Sequence, residues 1–438
     1  MSTNVTTSAV PVSSPRLRFQ TGIAYYTIGA VFNQGSTFAV NIVVAHLLGR
    51  QIFGEYAMVQ STLLALGVIA QMAAAYTVLK YVAEFRSTDR DRAGRILTLL
   101  SAFSAILAGI ATLALLFLAP WLAGYVLKAP GLGPVLATGS AVLLFTTLNG
   151  SLMGTLAGLE CFRRLATVLV WSGLVYLFVC TGSAWLGGLN GAVAGQAFAG
   201  LFQFVFLAVA MRKECSLRGI TIHVTGSTQE WRVIVKFMLP GAMAGITSMP
   251  ALWLANTFLV RQPDGYSQMA IYSASSNLMM AILFLPNIAN YVGMSLINHY
   301  KGAGQEAEYR RTFWTNLSLS TTIVILGTFV LAVFGADLLR IFGIDFKDGY
   351  PVLFILLPAT IAQGFGLAMY QIIQSHAKMW LSFLAIALPR DMLMVGFAFL
   401  LIPTHGAKGL ASAYAISWTL ASLIIASIVY RIGLKPSC

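Results

Sequence analysis

Two adjacent charged residues, Arg390 and Asp391, stand in the middle of a long apolar stretch, directly after Pro389. If that stretch crosses a membrane, both charges are costly and are candidates for function. A guanidinium suits phosphate because its planar fork binds two oxygens at once. We expect Arg390 to face a water-filled cavity and attract an anionic substrate, with Asp391 tuning it. The alternative is that the two side chains neutralise each other or contact carbonyls freed near the proline.

Polar side chains, mostly amides, recur at helical spacing in three other apolar stretches, so each set shares one helix face. Amides both donate and accept hydrogen bonds, which suits sugar hydroxyls. We expect these faces to line a hydrated cavity; the alternative is hydrogen bonding between packed helices. The substrate candidates are Asn33, Asn41, Asn287, Asn290 and Gln371, accompanied by Thr37, Pro286, Gln363, Tyr370 and Gln374.

Residue patterns for covalent or metal chemistry are missing from the sequence. No two of the four cysteines stand at metal-ligand spacing, and the five histidines form no His-Glu-x-x-His pair. We therefore expect no catalytic residue, no metal site and no cofactor. Asp391 is also the only acid inside a predicted span, whereas an ion-driven exporter of cations usually needs buried carboxylates.

The composition indicates a membrane protein. Of the 438 residues, 58% are hydrophobic and 9% are charged, against about 25% charged in ordinary soluble domains. One soluble core cannot bury so much apolar surface, which excludes a soluble enzyme. A spanning helix needs ~20 mostly apolar residues, so the sequence predicts an all-α polytopic protein with twelve spans. They cover about 21–45, 56–78, 96–121, 133–157, 165–186, 190–211, 237–260, 267–297, 312–334, 350–374, 379–402 and 407–431.

The distribution of basic residues predicts the topology. The chain carries 27 Lys and Arg against 14 Asp and Glu, a net charge of +13. With the amino terminus in the cytoplasm, the inner segments hold 20 basic residues and the outer loops hold 6, which leaves Arg390 inside a span. Positive residues accumulate on the cytoplasmic side, so both termini are predicted to be cytoplasmic. The charge is therefore a topology signal and does not indicate nucleic-acid binding.

The twelve spans divide into two halves of six at the longest connection, and similar glycine patterns recur in both halves. Gly188-x-x-Gly191 precedes the sixth span, and Gly406-x-x-Gly409 precedes the twelfth. This repetition predicts a duplicated six-helix unit with the substrate site between the halves. The predicted organisation is a disordered tail (1–20), an amino-terminal lobe (21–211), a cytoplasmic linker (212–236), a carboxy-terminal lobe (237–431) and a second tail (432–438).

Loose patterns of glycine, aromatic and basic residues run along nearly the whole chain, about residues 20–432. The sequence resembles the polysaccharide transporter family of the multidrug/oligosaccharidyl-lipid/polysaccharide (MOP) superfamily, which includes Wzx-type O-antigen flippases. The residues that carry the resemblance are Leu47-Leu48-Gly49-Arg50, Phe53-Gly54-Glu55-Tyr56, Tyr81 to Arg86, Gly94-Arg95, Gly158 to Arg164, Lys236 to Pro240, Gly265-Tyr266 and Tyr272-Ser273-Ala274.

The resemblance implies twelve helices in two V-shaped lobes around a central cavity, with alternating access to the two sides of a bacterial inner membrane. It implies a cargo of undecaprenyl-diphosphate-linked oligosaccharide, turned from the inner to the outer leaflet for surface polysaccharide synthesis. Membrane lipids, a polysaccharide polymerase and a chain-length regulator are the expected partners. The family has no fixed catalytic motif, so the site candidates come from membrane depth and helical periodicity alone.

Two other functions compete with a flippase. The first is an ion-coupled antiporter of small molecules, from the same superfamily or from the major facilitator class. The loop Asp91-Arg92-Ala93-Gly94-Arg95 partly matches a facilitator signature, but a basic loop beside anionic headgroups needs no further explanation. The second is a membrane-embedded glycosyltransferase or polymerase. Such enzymes need a large outer loop or an acidic surface motif, and the outer loops here are short.

Overall fold

The computed structural model describes residues 15–71, 74–86, 88–221, 226–231, 233–234, 246–302, 304–376 and 379–433. Within these ranges the chain is almost entirely helical and contains no strand. The α-helices are α1 (Pro15–Gln71), α2 (Ala74–Phe85), α3 (Arg90–Trp121), α4 (Leu132–Gly158), α5 (Phe162–Leu217), α6 (Ser248–Val260), α7 (Gly265–Gly302), α8 (Glu306–Arg340), α9 (Tyr350–Ser375), α10 (Met379–Ser382), α11 (Leu388–His405) and α12 (Ala407–Gly433).

Nine helical segments in the described ranges are long and apolar enough to cross a membrane, and α6 is a shorter apolar helix of 13 residues. The chain is therefore an all-α polytopic membrane protein. Two of the nine segments each consist of two helices that meet at a glycine: α1 contains the first predicted span and most of the second, and α5 contains the fifth and sixth. The seventh predicted span, 237–260, begins outside the described residues, so the count of twelve spans stays a prediction.

Glycines at positive φ turn the chain between consecutive spans. α1 bends at Gly49, with φ 76° and ψ 171°, and α5 bends at Gly188, with φ 56° and ψ −137°. Gly406, with φ 53° and ψ −127°, separates α11 from α12. A residue with a Cβ rarely adopts such angles. Gly188 and Gly406 have nearly the same conformation at corresponding positions of the two halves, as the repeated sequence pattern predicts.

The glycine three residues after each of these two turns permits a close backbone approach. A Cβ on Gly191 would lie 1.8 Å from the Ser183 carbonyl oxygen, and a Cβ on Gly409 would lie 2.3 Å from the Leu401 carbonyl oxygen. In both halves the carbonyl belongs to the residue eight positions earlier. The second helix of each pair folds back on the first because no side chain stands between them.

Two helices continue past the apolar limits of the predicted spans. α1 begins at Pro15, inside the predicted first tail, and α5 ends at Leu217, inside the predicted linker. Hydropathy marks the apolar part of a helix but not its polar end. The polar end of α5 is stabilised by Glu214, a buried carboxylate that pairs with Arg164 Nε at 2.7 Å and with Arg218.

Apolar packing divides the molecule into a joined end and a split end. We call α1–α5 the amino-terminal lobe and α6–α12 the carboxy-terminal lobe, after the predicted division of the chain. One large core takes residues from both lobes around the turns at Gly49, Gly188 and Gly406; we call this the joined end. At the opposite split end, each lobe has a core of its own among the described residues. These cores include Val82, Leu156 and Leu207 in the amino-terminal lobe, and Phe313, Ile372 and Val429 in the carboxy-terminal lobe.

Replacing Gly191 with Ala should destabilise the protein, because the new methyl group forces the turn after Gly188 to open. Overpacking of this kind costs about 1–3 kcal/mol, which lowers the melting temperature of the detergent-purified protein. Gly182→Ala in the same helix is the control, since a Cβ there meets nothing within 4 Å. Equal melting temperatures for the two variants would contradict this account of the turn.

Candidate functional site

A widened helical turn precedes the charged pair. A π turn at Phe383–Ala387 leads into α11, whose first turn contains Pro389, Arg390 and Asp391. Proline has no N–H, and its ring clashes with the carbonyl four residues earlier. The π turn contains the residue whose carbonyl would meet that ring, and such turns are frequent at functional sites. Arg390 and Asp391 therefore lie about midway along the span, as the sequence predicts.

Arg390 and Asp391 form a nearly buried ion pair. Nε and Nη2 of Arg390 both donate to Oδ1 of Asp391, at 2.8 and 2.7 Å, and the two side chains are 15% and 9% exposed. Ser248, the first residue of α6, accepts a bond from Arg390 Nη2 and donates to Asp391 Oδ2 at 3.0 Å. Both carboxylate oxygens are thus occupied, and the pair is neutral overall.

An aromatic side chain of α12 supports the guanidinium. The guanidinium carbon of Arg390 lies 4.6 Å from the ring centroid of Trp418, a distance at which a cation is attracted to the ring face. Trp418 lies beside Tyr414, with ring centroids 6.3 Å apart. The Tyr414 hydroxyl donates to Gln363 Oε1 at 2.7 Å. Contacts from α6 and α12 thus converge on Arg390 of α11, and α9 supports the α12 side through Tyr414.

The guanidinium retains donors that no described group uses. Arginine has five N–H donors, and Asp391 and Ser248 occupy the Nε donor and both Nη2 donors of Arg390. Two donors remain on Nη1, a single nitrogen. A phosphate oxygen can therefore bind Nη1 as the site stands. A phosphate that binds two nitrogens of the guanidinium at once requires Nη2 to release one of its present partners.

Asn290 and Gln371 belong to a buried hydrogen-bonded cluster between α7, α8 and α9. Asn290 Oδ1 accepts from Asn316 Nδ2 at 2.9 Å, from Gln371 Nε2 at 2.8 Å and from Ser320 Oγ at 3.3 Å. Asn316 Nδ2 is also 3.3 Å from Gln371 Oε1. Gln371 is 2% exposed. These are bonds between packed helices, and a glycan contact by either candidate stays a prediction.

The other three amide candidates lie apart from this cluster. Asn33 and Asn41 are half-buried on α1, in the other lobe, and their side chains bond no described group. The face of α1 that carries Asn33 packs on α5, since a Cβ on Gly173 would lie 3.4 Å from the Asn33 Cα. Asn287 is exposed on α7. The structure thus brings together two pairs of candidates, and leaves these three separate.

Polar contacts across the lobes occur at the joined end. Trp253 Nε1 donates to Thr62 Oγ1 at 3.0 Å, and Asn256 Nδ2 donates to Ser61 Oγ at 2.8 Å, which tie α6 to α1. Arg50, next to the α1 bend, donates to the backbone carbonyls of two carboxy-terminal-lobe residues. The lobes therefore meet through specific bonds as well as through the shared core.

Close backbone and aromatic packing accompany these bonds. A Cβ on Gly54 would lie 1.8 Å from the Tyr266 carbonyl oxygen, so α1 and α7 touch backbone to backbone there. Phe53 packs on Phe342 and Phe346 of the other lobe, with ring centroids 6.2 and 5.8 Å apart. The two lobes are therefore closely packed at the joined end.

Sequence reasoning missed Ser248, Trp418 and the contacts of the joined end. Ser248 and Trp418 lie in different helices from Arg390 and are separated from it by 142 and 28 positions, so no periodicity links them. The residues of the joined end are ordinary Ser, Thr, Asn and Trp in apolar spans. The resemblance patterns did include Gly54 and Tyr266, but they gave no indication that the two residues touch.

The chain is similar to known proteins over most of its length. A family model described as polysaccharide biosynthesis protein matches residues 19–297. The EPS I polysaccharide export inner membrane protein EpsE of Ralstonia nicotianae is 23% identical over 419 residues, which cover 92% of each chain.

Solved structures of the MATE family share the fold. One is an inward-facing conformation of a multidrug resistance MATE family transporter of the MOP superfamily. It is 15% identical to this chain with a TM-score of 0.78, and the match covers 95% of this chain and 100% of the transporter. Another, the eukaryotic MATE transporter AtDTX14, has a TM-score of 0.75 at 14% identity, over 94% and 96% of the two chains.

Alanine at Asn290 should lower the stability of the protein, whereas alanine at Asn287 should not. Asn290→Ala removes the side-chain oxygen that accepts from Asn316, Gln371 and Ser320. Gln371 Nε2 keeps the Asn290 backbone carbonyl and Asn316 Nδ2 keeps Gln371 Oε1, so we expect a total cost of about 1–3 kcal/mol and a lower melting temperature. Asn287→Ala removes an exposed amide and should leave the melting temperature unchanged. If Asn290→Ala is as stable as wild type, the cluster does not stabilise the helix packing as its geometry indicates.

Proposed function

The chain belongs to the polysaccharide biosynthesis protein family as a polysaccharide transporter of the MOP superfamily, and we propose that it is a flippase for lipid-linked oligosaccharide. It is a multi-pass inner membrane protein. The proposed cargo is an undecaprenyl-diphosphate-linked repeat unit, which moves from the inner to the outer leaflet for synthesis of O-antigen, capsule or exopolysaccharide. The observation that carries the proposal is the guanidinium of Arg390, held at mid-span with two donors unused.

The orientation follows from charge. Basic residues that the sequence assigns to inner segments, such as Arg92, Arg164 and Arg310, lie near the split end, where each lobe has its own core. Because positive residues favour the cytoplasmic side, we infer that the split end faces the cytoplasm and that both termini lie there. In this orientation the joined end closes the outer side.

The mechanism proposed is alternating access between the two lobes. In the conformation described, the lobes can separate at the cytoplasmic end while the outer end is closed. Rocking the lobes about the substrate site would break the contacts of the joined end and form others at the split end. The glycan and diphosphate would cross in the cavity, and the lipid tail would stay among membrane lipids. A polymerase and a chain-length regulator are the proposed recipients of the product.

Arg390 is proposed to bind the diphosphate and to supply most of the headgroup affinity. A charged hydrogen bond contributes about 1.5–3 kcal/mol, which corresponds to roughly 10- to 100-fold in affinity. The proposed glycan path includes the amides of Asn33, Asn41 and Asn287. Asn290 and Gln371 would contact glycan only by exchanging their present partners.

Deleting the protein tests the cargo. Lipid-linked repeat units should accumulate at the cytoplasmic face, and surface polysaccharide should be lost, because the units are made but do not reach the outer leaflet. Mass spectrometry of extracted lipids, with a membrane-impermeant reagent to report the leaflet, measures both. Loss of polysaccharide without accumulation of lipid-linked units would contradict the assignment.

Complementing that deletion strain tests Arg390. The double variant Arg390→Gln with Asp391→Asn removes both charges at once, so it leaves no unpaired buried charge, and it should not restore surface polysaccharide at wild-type protein level. The matched control removes the exposed pair Arg340 and Asp337 in the same way and should restore it. Export by the first variant at normal expression would rule out Arg390 as the binding residue.

A further inference from the structure

We propose that Asp391 is a counter-ion that the anionic headgroup must displace, so that headgroup and proton bind together. When Asp391 is ionised, it accepts hydrogen bonds from Arg390 and competes with the headgroup. When Asp391 is protonated, the guanidinium of Arg390 is free to bind two phosphate oxygens. The inference rests on the proposed function, since it concerns the same guanidinium. It adds a requirement that the function alone does not contain: one proton is taken up when the diphosphate binds.

The hydrogen-bond geometry supplies the competition. Three of the five donors of Arg390 are engaged, and both donors of Nη2 are among them. A phosphate that uses two nitrogens of the fork must therefore take a donor from Asp391 or from Ser248. Ser248 is itself bonded to Asp391 Oδ2 at 3.0 Å, so displacing either partner disturbs the carboxylate.

The local charge supplies the direction of the effect. The pair is neutral while Asp391 is ionised, and a neutral pair attracts a dianion weakly. A carboxylate that loses its guanidinium partner in a nearly buried site is strongly disfavoured. Protonating Asp391 removes this penalty, leaves Arg390 with a full positive charge, and lets the carboxyl donate a hydrogen bond. Headgroup and proton therefore favour each other's binding, and the coupling is reciprocal.

Among the described groups that contact the pair, Asp391 is the one acidic side chain. Ser248 on α6 and Trp418 on α12 are uncharged, and Gln363 on α9 reaches the site only through Tyr414. Among the described residues, the salt bridge of Arg390 is with Asp391. Tyr414 is near enough for its hydroxyl to interact with the charge of Arg390, but a phenol stays protonated near neutral pH.

The proton balance is simple. A proton from water at the open end adds to Asp391 as the diphosphate takes its place on Arg390. When the diphosphate leaves at the other side, the ion pair re-forms and Asp391 releases that proton to water there. The empty transporter then returns with a neutral pair, which avoids carrying an unpaired charge through the closed state.

The affinity of the purified full-length protein for a diphosphate diester, measured against pH, tests the proposal. The probe is farnesyl diphosphate that carries one N-acetylglucosamine on its second phosphate, because a diester keeps both negative charges across the range. Wild-type affinity should rise as the pH falls from about 8 to about 5, by up to about tenfold per unit for one linked proton. Asp391→Asn should bind tightly at every pH, while Asp337→Asn should behave like wild type.

Calorimetry of the wild-type protein in two buffers of different ionisation enthalpy gives a second readout that needs no variant to fold. It should report uptake of up to about one proton per probe bound. Wild-type binding without pH dependence or proton uptake would overturn this inference and leave the proposed function standing. The same holds if Asp391→Asn keeps the wild-type pH profile. Absence of wild-type binding at every pH, or unchanged binding by the double variant Arg390→Gln with Asp391→Asn, would instead overturn the proposed function together with the inference.

Discussion

A core shared by both lobes at one end, and divided between them at the other, is the constraint on which the rest of the structure depends. Within a membrane, apolar side chains gain little by leaving lipid for protein, so helix association depends on close packing and polar bonds. The joined end has both: the backbone contact of Gly54 with Tyr266, and the bonds of Ser61 with Asn256 and of Thr62 with Trp253. In the proposed mechanism, the contacts of the joined end maintain the closed side and must break for the lobes to rock.

In the proposed mechanism, the ion pair of Arg390 and Asp391 suits a cavity that opens to each side in turn. A lone guanidinium at this depth would be costly in every state without substrate. Pairing with the adjacent carboxylate and with Ser248 reduces that cost while keeping the guanidinium oriented on Trp418. Under the proposed function, the pair is the resting arrangement of the group that binds the headgroup.

Helical periodicity and hydropathy could predict the apolar helices, the recurring glycine turns and the central charged pair, because each depends on residues close together in sequence. They could not show that consecutive helices meet at a single glycine with no loop between them, as they do at Gly49 and Gly188, where the backbone leaves helical geometry. Nor could they distinguish a cavity wall from a packed interface. Asn290 and Asn287 stand three residues apart, yet one bonds to two neighbouring helices and the other is exposed. The partners of a polar residue come from other helices, and one sequence does not specify them.

A flipping measurement with a lockable joined end tests the central claim most directly. Cysteines at Ser61 and Asn256, whose side chains are in contact, would be introduced together with Cys438→Ser. Cys161, Cys180 and Cys215 are buried, and burial raises the pKa of the Cys215 thiol to about 11, so they compete poorly for a crosslinker. In liposomes with the reduced protein, an external glycosidase should cleave more of the lipid-linked oligosaccharide than the fraction that starts in the outer leaflet. After a reducible crosslink, cleavage should stop at that starting fraction, and it should rise again when the crosslink is reduced. Flipping at an undiminished rate with the joined end locked would contradict the account.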